Sequence, residues 1–405
     1  MELWPRGSVP VIANPQSPMY CLVMPGGRGS STRTRALLGV LATVSLVAVF
    51  TTRVSHKMPD FDVYRIAAAR ARAAEPLYRA DDGHFQFKYL PAFAVLAAPL
   101  SMVPPAAAKG GWFALSAVLM LVLLGLSLKA MPAVHRPPAV LLVVTFLAMA
   151  KFYAHELVLG QVNLLFAVLV MLAVVWMRNG LDALAGLLFA AAVVVKPYAV
   201  IFLPWLGSRR HRTALVTMAA ALVVLLLVPA ARYGWSGNLA LLADWWETVS
   251  STTAPNLTNP DNVSLGAMFT RWLGPDSVAP ILAAAVGAIL LLLTGIVIAG
   301  RGALAAPETL EASLLLLLIP LLSPQGWDYV FLIGTPAVML LVNDLPSLPR
   351  GLRIATVASI AVVALSIFDV MGRAAYSTFM RLSIVTVCVL VEVAALITLR
   401  FRRAA

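Results

Sequence analysis

The chain has 405 residues, of which 61% are hydrophobic and 12% charged. So large an apolar fraction excludes an ordinary soluble protein and points to a polytopic membrane protein with little room for a soluble domain. The net charge of +12, which in a soluble chain would suggest nucleic acid, instead fits basic loops facing anionic lipid, and no nucleic-acid partner is expected.

Residues 1–35 are polar and rich in Pro, Gly and Arg, and read as a disordered cytoplasmic tail without a signal-peptide cleavage site. Apolar runs then recur near 36–52, 111–128, 139–154, 161–177, 183–195, 198–207, 213–231, 278–300, 311–323, 326–342, 354–371 and 382–399. These predict an all-α domain over 36–400 with about twelve crossings. Several runs fall short of the roughly 20 residues a full bilayer core needs, and 183–207 could be one helix kinked at Lys196-Pro197. With the N-terminus inside, Lys129, Arg136, Arg178, Arg209, Arg210, Arg212, Arg301, Arg350, Arg353, Arg400, Arg402 and Arg403 all fall on the cytoplasmic side. The first outer loop, 53–110, departs from that bias, with bases from Arg53 to Lys109.

Within that loop, Met58-Pro59-Asp60-Phe61-Asp62-Val63-Tyr64-Arg65 places two acids at a membrane edge, where ionisable groups are candidates for function. They could equally open a surface helix as cap and first-turn residues. Asp60 and Asp62 also spell a D-x-D pair, too short to specify a metal site, and no metal is expected. Phe87-Lys88-Tyr89-Leu90-Pro91 leads into a run ending at Pro104-Pro105, which suits a helix lying in the interface. The second outer loop, 232–277, carries Trp245 and Trp246, interfacial anchors by default, and Asn262-Val263-Ser264-Leu265.

The remaining polar residues collect at the outer ends of the runs: His155, Glu156, Gln161, Asn163, Lys196, Asn262, Ser323, Gln325 and Asp328 among them. A transporter more often carries such groups at the bilayer midplane, whereas an enzyme acting on a lipid headgroup gathers them at one interface. Gly160-Gln161-Val162-Asn163 reads as a helix-capping turn or a ligand-binding one. Lys196 needs water, an acid or a phosphate, and Asp328 would pair with a base such as Lys196 or Arg271. Cys21 and Cys388 form no disulfide or metal spacing, and no P-loop, dinucleotide motif or nucleophile elbow is present.

Taken in order, these motifs resemble a known family. Asp60 with Val63-Tyr64-Arg65, Pro76-Leu77-Tyr78, Phe87-Lys88-Tyr89-Leu90-Pro91, Gly160-Gln161-Val162-Asn163, Lys196-Pro197, Asn262-Val263-Ser264-Leu265 and Leu322-Ser323-Pro324 are similar to the GT-C membrane glycosyltransferases. Within these, the chain looks like the actinobacterial polyprenyl-phosphate-mannose-dependent mannosyltransferases of glycosyltransferase family 87. Where relatives often carry His after Ser-Pro, this chain reads Gln325-Gly326-Trp327-Asp328-Tyr329. The resemblance implies a GT-C fold, with Asp60 as the catalytic carboxylate. It also implies inverting transfer of mannose from polyprenyl-phosphate-mannose to a mannosylated lipid or lipoglycan outside the plasma membrane. Asp62, Tyr64, Arg65, Lys88, Tyr89, His155, Glu156, Gln161, Asn163, Lys196, Asn262, Arg271, Ser323, Gln325, Trp327 and Asp328 are the expected substrate contacts. The enzyme would act as a monomer without a cofactor, its partners being the lipid-linked donor, the glycolipid acceptor and membrane lipid. A lipid-linked sugar flippase, or the same chemistry with arabinose, is the competing expectation.

Overall fold

The structure, a computed structural model, describes residues 32–275, 277–300 and 306–402. Most of the expected tail (1–31) and the inner-loop bases Arg301 and Arg403 lie outside the described residues. The chain divides into two units, Met1–Val49 and Phe50–Ala405. The first holds α1 (Thr32–Val49), an apolar helix that opens four residues before the hydrophobic run begins.

In the second unit a π-helical turn (Phe50–Val54) precedes α2 (Pro59–Ala73) and the short α3 (Pro91–Leu96). The long pairs follow: α4 (Pro105–Lys129) and α5 (Pro138–Leu159), then α6 (Asn163–Arg178) and α7 (Asp182–Val195). Next come α8 (Phe202–Arg209), α9 (Arg212–Leu227) and α10 (Ala230–Ser251), followed by the small α11 (Thr253–Asn256) and α12 (Leu265–Leu273). The C-terminal part comprises α13 (Ala279–Ala299), α14 (Pro307–Leu322), α15 (Thr335–Asp344), α16 (Arg350–Leu365), α17 (Phe368–Met371), α18 (Arg373–Arg381) and α19 (Ile384–Arg402). Among the described residues the extended structure is a single isolated bridge, Asn262 with Trp327.

Among the described residues, five helical stretches are long and apolar enough to cross a membrane, or up to seven if each bent pair counts as one span. Against about twelve crossings read from the sequence, the difference lies in helices such as α6 and α7, at 16 and 14 residues, too short to pass alone. Helix α14 and the adjoining α15 are almost wholly buried and form the centre. Around them α9 and α13 turn Val216, Val223, Ile281 and Leu292 outward, an apolar surface suited to lipid rather than water.

Three local rules shape the end of the bundle expected to face outward. The interfacial run after Pro91 is a six-residue helix and a 3-10 turn, not one continuous helix, because Pro99 and Pro104 lack the N–H that a helix interior needs. Lys196, with extended backbone at φ −144°, breaks 183–207 into α7, a 3-10 turn (Pro197–Ile201) and α8. The chain doubles back there, and Phe189 of α7 stacks on Phe202 of α8 at 5.0 Å. Finally, α10 turns through 93° from α9 and exposes Trp235, Leu239 and Trp246, as a helix lying along an interface would.

Several of the loop cations expected on the cytoplasmic side act as latches. Arg209 pairs with buried Glu311, Arg136 donates to the Val342 carbonyl at 2.8 Å, and Arg400, 1% exposed, donates to the Val297 and Gly300 carbonyls at the end of α13. That last cation is therefore a helix-end partner and not a free loop charge.

Candidate active site

Helix α2 opens on Pro59, which suits a first helical position because its missing N–H is not needed there. The residue before it, Met58, is left-handed (φ 64°), and its N–H donates to the Val158 carbonyl near the end of α5 at 3.0 Å. This pins the start of α2 against α5. Residues two apart on a helix do not share a face, so the D-x-D pair diverges. Asp60 faces a cavity of about 370 Å³, whereas Asp62 turns to Lys109 at 2.7 Å. Lys109 also donates to the Lys57 carbonyl at 2.8 Å, which closes that side.

The turn after α5 supplies the second wall. Gly160 has φ 71°, and a Cβ there would lie 2.8 Å from Phe61 Cβ and 3.2 Å from Met58 Cβ. Only glycine allows α2 to sit this close on both sides of Asp60. Gly160→Ala is therefore expected to shift α2, lowering kcat more than tenfold and the melting temperature by several degrees. Misplacement of about 1 Å can cost that much or more in rate. A thermal melt in detergent beside a transfer assay checks it, and unchanged values in both would refute this packing argument.

Gln161 follows and organises three phenols. Its carbonyl oxygen accepts from Tyr64 at 3.0 Å and Tyr89 at 3.2 Å, and its amide donates to Tyr329 at 3.3 Å. Tyr64 and Tyr89 also bond each other at 2.8 Å and meet edge to face at 5.1 Å. Burial pushes both hydroxyls well above the usual range, so they remain protonated hydrogen-bonding groups.

Two lysines form the basic side. The buried Lys196, at the apex between α7 and α8, places its Nζ 5.4 Å from the centre of the Tyr89 ring. Lys88 donates to Gln325 at 3.4 Å, while Trp245 of α10 holds the Lys88 carbonyl at 3.1 Å. Of the tandem tryptophans, Trp245 thus lines the cavity and Trp246 stays exposed.

The fourth wall is the break after α14. The turn at 323–325 passes through extended backbone at Trp327 into a 3-10 helix over Asp328–Gly334. Gln325, Trp327 and Tyr329 line the cavity, as does Ser323, while Asp328 points to the other face. There it lies 3.6 Å from Lys151 and 3.7 Å from His155. The expected partners of Asp328, Lys196 or Arg271, are therefore replaced by two residues of α5. Gly326 is needed for the close turn, since a Cβ would fall on the Pro320 carbonyl.

Charge in the cavity is balanced without tight pairing. Among the described residues neither Asp60 nor Lys196 nor Lys88 has an oppositely charged partner within 4.0 Å. Burial raises the Asp60 carboxyl above its ordinary value, opposed by a Gln161 hydrogen bond and by Lys196, His84 and Lys88. Burial pushes the Lys196 ammonium down to about 8, against the pull of Glu156 and Asp60, and lowers Lys88 as well.

The cavity thus gathers Asp60, Tyr64, Lys88, Tyr89, Gln161, Lys196, Ser323, Gln325 and Trp327. The other expected contacts lie outside its lining. Glu156 accepts from Asn163 at 2.8 Å and from the Leu164 N–H at 2.9 Å, so this buried pair caps α6. Asn262 donates to the Asn256 and Pro324 carbonyls at 2.9 and 2.8 Å. Arg271 donates to the Asn262 carbonyl and to Ser383, and Arg65 reaches toward the Val103 carbonyl. Sequence reading passed over His84, Tyr198, Tyr329 and the inward role of Trp245, all of which line the cavity.

A model of glycosyltransferase family 87 matches residues 87–324, more than half of the chain. The chain belongs to glycosyltransferase family 87. No curated protein and no solved structure matches it. The family indicates membrane glycosyltransferase activity, in keeping with the apolar helices. The matched span runs from the Lys88 motif through Ser323-Pro324, so the Gln161 turn and the two lysines of this glycosyltransferase's cavity lie within family-87 segments. Asp60 comes from the stretch just before the match.

Proposed function

We propose that this glycosyltransferase moves mannose from polyprenyl-phosphate-mannose to a mannosylated lipid or lipoglycan, with inversion, on the outer face of the plasma membrane. The observation carrying this reading is that one cavity at a single end of the bundle holds an unpaired carboxylate and a buried, unpaired lysine. The reaction needs both. The oxygen of an acceptor hydroxyl attacks the anomeric carbon while the bond from that carbon to the phosphate oxygen breaks. Asp60 accepts the hydroxyl proton, and the departing polyprenyl phosphate keeps the bonding pair and gains charge. Lys196, buried, and Lys88, partly buried, are suited to hold that charge. Gln161, Ser323 and Gln325 offer hydrogen bonds to sugar hydroxyls, and Trp245 and Trp327 supply apolar faces. Twelve crossings with the basic loops inside would set this end outside, where the donor's sugar is reached without a soluble sugar nucleotide.

Incubating membranes that contain the protein with radiolabelled polyprenyl-phosphate-mannose tests donor and activity together. The expected product is a glycolipid longer by one hexose. Label that crosses the membrane without entering a glycosidic bond would favour a flippase, and labelling only from the arabinose-bearing donor would reassign the sugar.

A further inference from the structure

Beside the main cavity lies a second one of about 140 Å³, lined by Val63, Ile66, Arg70, Asp82, Phe85 and Phe87. Val63 and Phe85 line both, so the two spaces share a wall. Val63, Ile66 and Arg70 follow helical spacing on one face of α2. At 1.5 Å per residue, Ile66 lies about 9 Å along α2 from Asp60, the reach of one or two sugar rings. The floor is aromatic, with Phe87 buried and Phe85 51% exposed.

Its polar edge is built. Arg70 holds Asp82 through two parallel hydrogen bonds of 2.5 and 2.7 Å, a planar pair that fixes the loop Ala80–Phe85 against α2. Each Asp82 oxygen spends one acceptor position on Arg70 and keeps another. The pair is only partly covered, Arg70 at 13% and Asp82 at 21% exposure, so those positions remain reachable. Fixed acceptors and donors beside aromatic carbon match a pyranose, which carries vicinal hydroxyls on its rim and C–H groups on its face. At a water's share of roughly 30 Å³, the space admits about four to five waters, or much of one sugar ring.

We infer that this side cavity is an acceptor subsite that binds the sugar preceding the one that is mannosylated, so the enzyme prefers acceptors of two or more sugars. The inference rests on the mannosyltransferase reading, and it names the substrate length that reading leaves open. Ile66 lines only the side cavity and is 51% exposed, so filling the space there leaves the catalytic walls in place.

The probes are octyl α-mannoside and octyl α-dimannoside. Wild-type protein is expected to use the dimannoside with a kcat/KM about tenfold higher, the worth of a charge-assisted hydrogen bond. Ile66→Trp should erase that preference and leave transfer to the monomannoside unchanged. Ile66→Ala, which opens the space, should keep it. A companion saturation-transfer NMR measurement without donor does not depend on catalysis. Both rings of the dimannoside should receive magnetisation from wild-type protein, and one ring from Ile66→Trp. Equal use of the two acceptors, or an Ile66→Trp variant that keeps the preference, overturns the subsite. Contact with both rings but no transfer to either acceptor supports the subsite as a glycan site and overturns the transferase reading alone.

Discussion

Asp60→Asn is expected to lower transfer by about 10²–10⁴-fold while the protein still folds and binds the donor lipid. Asparagine keeps the shape of the side chain and its hydrogen bond with Gln161, but it cannot accept the proton of the attacking hydroxyl. The same change two residues on provides the control. Asp62 is 41% exposed and turned away toward Lys109, so Asp62→Asn removes a partly solvated ion pair worth about 0–1 kcal/mol and should leave the rate nearly intact. A single-turnover assay with radiolabelled donor separates the two outcomes, because it reads chemistry apart from product release. Full activity in Asp60→Asn would remove the general-base assignment. Equal loss in both variants would mean that the start of α2, and not the Asp60 carboxylate, is what matters.

This contrast shows what was legible in the residues. Two acids at a membrane edge were conspicuous in a chain so short of charge, but both were expected at the substrate, and it is the structure that turns Asp62 away to Lys109. Gly160, Gln161 and Lys196 stood out for the same reason: each interrupts an apolar run, where a polar group needs a partner or an aqueous space. Their roles still differed. Glu156 and Asn163 looked like ligands because they are polar at the outer level, yet they satisfy each other and the first N–H groups of α6. Asp328 looked like a cavity acid, but it opens the 3-10 helix over Asp328–Gly334 and is turned to Lys151 and His155, while Trp327 and Tyr329 line the cavity. The partner of Asp328 was hidden because Lys151 sits within an apolar run.

Other parts of the site depend on contacts that no local pattern encodes. Lys88 meets Gln325 across 237 positions of sequence, and Trp245 reaches the Lys88 carbonyl across 157. A tryptophan at an interface has an adequate explanation in lipid, so nothing local distinguished Trp245 from Trp246. His84 lies in a loop of Asp, Gly and His that reads as solvent-facing. The Arg70–Asp82 clamp holds that loop against α2, and His84 lines the cavity. The fold was more readable than the site because an apolar run reports an environment away from water, whether protein core or lipid, whereas a site is a juxtaposition of separate runs.

Lys196 carries the second large effect. Lys196→Met keeps much of the apolar stem and removes the charge, and should lower kcat by about 10²–10³-fold, the usual cost of losing one preorganised donor to a developing anion. Lys196→Arg should not restore the rate, because the planar guanidinium is bulkier and cannot occupy the same point beside Tyr89. The pH dependence ties the loss to the ammonium itself. Asp60 acts when deprotonated, so activity rises with pH through a value above its ordinary 3.8, in the direction that burial pushes it. Lys196 acts when protonated, and its ammonium, pushed down to about 8, loses its charge as pH rises through that value. The product of the two states is a bell-shaped profile of kcat/KM whose basic limb falls near pH 8. In Lys196→Met that basic limb should disappear. The acid limb should also move to higher pH, because Lys196 is one of the cations holding the Asp60 carboxyl down. Profiles measured between about pH 5 and pH 10 on both proteins decide the matter. A basic limb that persists unchanged in Lys196→Met would assign it to another group and take the leaving-group role from this lysine.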